Sequence, residues 1–359
     1  MIDIWPALLI SALSIPFAQA QTSSVACNNS PSLGSRSYSN ITHLGAHDSA
    51  FVRDAADLDS LAGNQFYNAT VALSAGVRLL SAQVHNSSGQ LHLCHTSCDL
   101  LDAGLLSTWL GAIKFWLDNN PNDVVTLLLV NSDDATASEL DAQFRAANIT
   151  QYAYTPPLTS SAIQTWPTLE SLISNSTRLI TFIASLDSTS NNTAPYLLNE
   201  FTFIFENPYD VTDPSNFSCT ADRPSTVQGQ TQQALSDGMM PLMNHFLDEN
   251  LIFGIQIPNV SYVSTTNAPS GGVGNLGTAA ATCTSEYGKA PTFFLVDFFN
   301  EGPAIATVDN LNGVTNPVGR TSLPSNSTAS SGAGVLSVPS ILTWLAGLLG
   351  FTFRPRSLR

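Results

Sequence analysis

The sequence predicts an α/β fold, a (β/α)8-type TIM barrel, and three observations carry that expectation. Short continuous apolar runs recur down the chain, as strands buried on both faces do. Helical patterns lie between several of them. The 359 residues, 43% hydrophobic and only 11% charged, suffice for one large core and lack the low hydrophobicity of a disordered chain. The alternation alone also suits a doubly wound parallel sheet, with the barrel ahead of it.

The runs read as strands at Ile41 to Ala46, Val77 to Val84, Val124 to Val130, Arg178 to Ala184, Phe201 to Phe205, Ile252 to Ile257 and Phe293 to Phe298, with a short one at Leu91 to Cys94. The clearest helix spans Leu100 to Leu117, where Leu101, Leu105, Leu106, Trp109, Ile113 and Trp116 form an apolar stripe. Asp99 suits its N-cap, and Asn119-Asn120-Pro121 stops it. Gly271-Gly272-Val273-Gly274 lacks the Lys-Ser/Thr that completes a phosphate loop, so no nucleotide site is expected there.

The two ends differ in kind from the middle. Trp5 to Phe17 is apolar and precedes Ala18-Gln19-Ala20, which predicts a signal peptide over 1–20. The barrel domain is expected over 21–320, followed by a Ser/Thr/Gly-rich stalk over 321–335 and a hydrophobic tail over 336–359. Leu336 to Phe353 carries no charge, and small residues such as Ser330, Ser331 and Gly332 precede it, the pattern of a glycosylphosphatidylinositol signal. Arg354, Arg356 and Arg359 behind it suit a membrane span instead. Either reading places the folded part outside the cytosol, in the secretory pathway and then extracellular or at the cell surface. Nine sequons agree, at Asn40, Asn68, Asn86, Asn148, Asn175, Asn191, Asn216, Asn259 and Asn326, and Asn28 also fits the pattern.

Twelve basic against 27 acidic residues give a formal charge of −15, which argues against nucleic acid as a partner and against long-range attraction to anionic lipid. Five cysteines in an exported chain imply disulfides with one thiol left over. Cys94 and Cys98 flank His95 and are close enough to bridge; Cys219 and Cys283 then pair, leaving Cys27. A metal site is not expected, because the CxxxC has no second thiolate pair.

His47 and His95 are the most informative residues. The first lies in Ile41-Thr42-His43-Leu44-Gly45-Ala46-His47-Asp48-Ser49 and the second in Leu91-His92-Leu93-Cys94-His95-Thr96, each read as the exit of a buried strand. Two imidazoles facing one cleft can divide the cleavage of a phosphodiester, one taking a proton from the attacking hydroxyl and one protonating the leaving oxygen. Asp297 ends an apolar strand and needs a partner, and Glu206 ends its strand similarly. His43 shares the parity of His47 but lies deeper, as a core residue does.

These stretches resemble the X domain of phosphatidylinositol-specific phospholipase C, especially its small bacterial form and the secreted fungal PLC-like phosphodiesterases. The resemblance runs from about Asn40 to Asn312, through Gly45-Ala46-His47-Asp48-Ser49, Gly76-Val77-Arg78, Leu91 to His95, Asn119-Asn120-Pro121, Val124 to Leu129 and Phe294-Leu295-Val296-Asp297-Phe298. It implies a distorted barrel and a phosphoric diester hydrolase acting on a phospholipid or phosphoinositide-type substrate at a membrane surface, without a cofactor. His47 is then the general base for the inositol 2-hydroxyl with Asp297 behind it, and His95, supported by Asp48, is the general acid toward the diacylglycerol oxygen.

One departure stands out. Where the bacterial enzymes carry Asp-x-Arg, this chain has Ser81-Ala82-Gln83, without the cation that neutralises phosphate charge and without acidic calcium ligands. Strand alternation puts Ser81, Gln83 and His85 on one face, so these and Glu206 are the expected substrate contacts, with a protonated His85 as the substitute cation. The alternative function is a surface glycoprotein of the same fold that binds a phosphorylated ligand without turnover. A metal-dependent glycerophosphodiesterase ranks last, because its Glu-x-Asp ligand pair is missing.

Overall fold

A computed structural model describes residues 25–53, 61–186, 193–251 and 256–324. The expected signal peptide, the tail, most of the stalk and the sequons at Asn191 and Asn326 lie outside these residues. Eight parallel strands follow one another around the molecule: β1 (His43–Ala46), β2 (Leu79–Ser87), β5 (Val125–Asn131), β6 (Leu179–Ala184), β7 (Leu197–Asn199), β8 (Ile204–Glu206), β9 (Met240–Asn244) and β12 (Phe293–Val296). β12 pairs with β1, which joins the last strand to the first. No ladder joins β7 to β8 among the described residues, because only the four-residue α5 (Glu200–Phe203) separates them. The fold is therefore a distorted (β/α)8 barrel, open at one seam.

The two faces of each strand bury different cores, as period-2 alternation requires. Leu79, Leu128, Phe182, Ile204, Leu242, Phe293 and Leu295 belong to the interior cluster. Leu44, Leu80, Leu127, Ile183, Phe205 and Phe294, one residue out of phase, pack outward against helices. Each fully buried aromatic such as Phe182 or Phe293 contributes roughly 1.5–3 kcal/mol. Gly45 is required by space: a Cβ there would lie 2.7 Å from Leu295 and 2.8 Å from Leu79.

Helices cover the outside, among them α1 (Ala69–Ala75), α2 (Leu106–Asn119), α3 (Ala137–Ala146), α4 (Leu169–Ser174), α6 (Thr231–Ser236), α7 (Val263–Thr266), α8 (Leu276–Tyr287) and α9 (Ala304–Asn312). Between β2 and α2 the chain inserts β3 (Gln90–Cys94) and β4 (Asp102–Leu105), antiparallel extensions of β2. No helix among the described residues is long and apolar enough to cross a membrane.

Several sequence expectations need correction. α2 begins at Leu106, without a side-chain cap, because Asp102–Leu105 is drawn into the ladder with β3; Asp99 is not its N-cap. Phe201 to Phe203 is helical and only Ile204–Glu206 is strand. The seventh barrel strand is Met240–Asn244, a segment that Pro241 hides from a strand reading. Of the run Ile252 to Ile257, residues 252–255 lie outside the described part. Gln256 and Ile257 fall in β11 (Gln256–Pro258), which pairs with β10 (Asp248–Asn250) away from the barrel. Asn28 is buried and its Oδ1 accepts the Val124 N–H, so that sequon is structural.

Candidate active site

Strand register brings the site together. His43, Gly45 and His47 share a parity, as do Phe293, Leu295 and Asp297. Ala46 is level with Val296, so His47 and Asp297 leave neighbouring strands at the same height. His47 N–H continues the ladder to Val296 O at 2.9 Å. His47 Nδ1 then donates to Asp297 Oδ1 at 2.8 Å, since a carboxylate only accepts. Asn64 Nδ2 donates to the same oxygen at 3.1 Å, and Gln65 Nε2 fixes the His47 carbonyl at 2.7 Å.

His95 arrives by a different route from the one expected. It follows β3, which is not a barrel strand but runs antiparallel to β2 and carries the chain back toward the mouth, with Leu93 level with Val84. The Cys94–Cys98 disulfide closes the turn that holds it. Phe51 meets its ring edge to face, with centroids 5.2 Å apart.

Asp48 stands between the two imidazoles. Its Oδ2 is 3.7 Å from His47 Nε2 and 3.6 Å from His95 Nε2. Its backbone has φ +45°, a left-handed conformation costing roughly 1 kcal/mol for a non-glycine residue. Ser81 holds it there, its Oγ accepting the Asp48 N–H at 2.8 Å and its carbonyl accepting the Ser49 N–H at 2.8 Å. Ser81, expected as a substrate contact, is thus a buried support for Asp48.

Three further expected contacts are likewise engaged with protein. Gln83 Nε2 donates to Asp48 Oδ2 at 2.7 Å, and its Oε1 accepts the Thr96 N–H at 2.9 Å, so the amide ties Asp48 to the His95 turn. His85 Nδ1 lies 3.4 Å from Asp133, while its Nε2 is buried without a partner. Glu206 is buried and bonded by Arg223 and Asn244, so the group it offers toward solvent is the Arg223 guanidinium stacked on Tyr209 at 4.2 Å. Glu200 is buried beside Glu206; burial and then that neighbour's charge push its carboxyl well above the usual range.

The two imidazoles differ in charge. Burial alone would lower the His47 value, but the carboxylates of Asp48 and Asp297 outweigh it and raise it to about 9. Burial lowers His95, against the pull of Asp48. Near neutrality the proton therefore resides on His47. Asp248, on β10, is pushed up to about 7 by burial and then by Asp297. His43 and His245 are buried in the core, and burial lowers each to about 4. His92 pairs with Asp102 at 2.9 Å outside the site.

Sequence reasoning missed Asn64, Gln65, Asp248 and Phe246. Phe246 lies flat on His47, centroids 3.7 Å apart and planes 2° apart. It follows β9, where Pro241 hides the strand pattern. Asn64 and Gln65 lie in a loop with no periodic pattern, and only the fold shows Gln65 to be wholly buried. The second disulfide joins Cys219 to Cys283 and Cys27 is a buried thiol.

The family model for the PI-PLC X domain matches residues 33–312. A PI-PLC X domain-containing protein 1 from Arthroderma benhamiae is 38% identical over 310 residues, 86% of this chain and 96% of that protein. A protein named uncharacterized secreted protein, from the same organism, is 37% identical over 297 residues, 80% of this chain; the chain spans 64% of its length. Among solved structures, phosphatidylinositol-specific phospholipase C from Listeria monocytogenes is 18% identical with a TM-score of 0.48, covering 79% of this chain and 95% of that one.

Proposed function

This chain belongs to the PI-PLC X-domain family, and on that premise we propose that it is a phosphoric diester hydrolase using His47 and His95 as a proton-transfer pair. One observation carries the reading: both Nε2 atoms approach the same Asp48 oxygen while Asp297 backs His47 from the other side. In the proposed reaction a hydroxyl adjacent to the phosphoester attacks phosphorus and loses its proton to His47 Nε2. The new O–P bond closes a cyclic phosphodiester as the P–O bond to the leaving group breaks, and His95 protonates the departing oxygen. Asp297 holds the His47 tautomer and stabilises the imidazolium that forms.

The charge state sets a condition on that cycle. The pair must hold one proton, and the productive form has it on His95, whereas the environment favours His47. The Asp48 carboxylate faces both rings, at 3.7 Å from His47 Nε2 and 3.6 Å from His95 Nε2, and so favours a proton on either one. An arriving phosphate anion also favours the protonated form of His95.

The substrate class is a phosphoinositide-type lipid, and the protein acts outside the cytosol; two disulfides and a secreted relative support the export. The test is turnover of phosphatidylinositol by the purified chain beside His47→Ala and His95→Ala. Loss in both variants supports the reading, and unaltered turnover in both removes it. A second reading has its own observation: Gln83, at the position where the resemblance places an arginine, is engaged between Asp48 and Thr96. It predicts binding of a phosphorylated ligand without turnover by the parent.

A further inference from the structure

The mechanism above leaves one contact of His47 unused. The Phe246 ring covers one face of the imidazole at 3.7 Å with the planes 2° apart. Phe246 is itself held. His245 N–H donates to Leu295 O at 2.8 Å, Asn259 N–H to Leu247 O at 2.8 Å, and Asp248 N–H to Val211 O at 2.9 Å. Asn244 is level with Leu295, so Phe246 reaches the height of Asp297. Its side chain is 5% exposed and belongs to the barrel-interior core.

We propose that Phe246 is a positioning residue that fixes the plane of the His47 ring and stabilises its imidazolium through the π face. A phenyl face attracts a cation set over it, and the attraction strengthens where water is excluded. Fixing the plane keeps Nδ1 on Asp297 and Nε2 toward Asp48 and the mouth. The groups facing His47 from every side are Asp48 after β1, Asp297 after β12, Asp248 on β10, His95 after β3, and the neutral Asn64. Three carboxylates supply charge; Phe246 supplies a dry polarisable face. Together they keep the one proton that the pair needs in the site up to alkaline pH. The inference rests on His47 being the proton acceptor, and it extends that role to the residue that sets its charge.

The test is an NMR titration of the His47 ring Cε1–H, assigned by its loss in His47→Ala, in the parent, Phe246→Leu and Phe246→Tyr. Leucine keeps the apolar cover and removes the π face; Phe246→Met does the same if the leucine variant fails to fold. The expected result is a midpoint lower by on the order of one pH unit in the leucine or methionine variant, with the parent value kept in the tyrosine variant. The alkaline limb of kcat/KM moves by the same amount, and KM stays within about twofold. An unchanged or raised midpoint, or an equal fall in the tyrosine variant, overturns the inference. The titration needs no turnover, so failure of the proposed hydrolase activity and failure of the Phe246 role are separate results.

Discussion

His47 and Asp297 are 250 positions apart in the chain and 2.8 Å apart in the fold, joined because β1 and β12 are neighbours in the barrel. Asp297→Asn removes the charge behind the ring and lets the other tautomer form. The expected outcome is a loss of kcat on the order of a hundredfold to ten-thousandfold with little change in KM, together with a lower His47 midpoint. Steady-state kinetics with NMR titration of the same variant check both.

The pH profile follows from the two opposite shifts. kcat/KM is expected to be a bell with its alkaline limb near 9 and its acid limb below 6.5. These limbs belong to the pair, not to single residues. Stability follows with a definite sign. The His47 value in the folded protein, about 9, lies above the unfolded value of 6.5. Its contribution is fully present below 6.5 and is lost as pH rises through 9, about 3 kcal/mol in all. Urea unfolding at pH 6 and pH 9.5 measures this, and His47→Ala flattens the difference.

The two disulfides have opposite signatures. Cys219 and Cys283 enclose 64 positions, so losing that bridge costs about 4 kcal/mol of stability; Cys94 and Cys98 are separated by 4, so theirs costs about 2 kcal/mol. The shorter bridge, however, closes the turn that carries His95. Replacing Cys94 and Cys98 with serine is expected to lower kcat at least tenfold, and replacing Cys219 and Cys283 to lower Tm more and kcat less. Thermal melts and initial rates on both double variants decide this.

Gln83 offers a gain-of-function test. An arginine there keeps a donor to Asp48 and adds a cation beside both imidazoles. Gln83→Arg is expected to raise kcat by at least tenfold on phosphatidylinositol, since a guanidinium at a phosphoryl group is worth orders of magnitude. Unchanged kcat in that variant shows that the missing cation does not limit the rate. His85→Ala is expected to change kcat less than threefold, because its Nδ1 already faces Asp133 at 3.4 Å.

Much of this site was legible in the residues because strand parity is a strict code. The same period that places Phe293 and Leu295 inside the barrel places Asp297 at its mouth, and His43 and Gly45 do so for His47. Parity does not say what a side chain already holds. Ser81, Gln83 and His85 do share a face, but Ser81 is committed to the Asp48 backbone and Gln83 to Asp48 and Thr96. Their partners are non-local, and a strand pattern carries no trace of them. β9 escaped because Pro241 breaks the strand signal, and with it went the position of Phe246. The opening between β7 and β8 escaped because a four-residue helix inside an apolar run has no period long enough to register.

The product formed first distinguishes a neighbouring-hydroxyl attack from direct hydrolysis. Two imidazoles serving a neighbouring hydroxyl predict that 31P NMR of a phosphatidylinositol reaction shows a five-membered cyclic phosphodiester before any phosphomonoester, and that His47→Ala and His95→Ala each abolish it. A phosphomonoester appearing from the outset, with solvent oxygen incorporated and no cyclic species, rules out the two-imidazole mechanism.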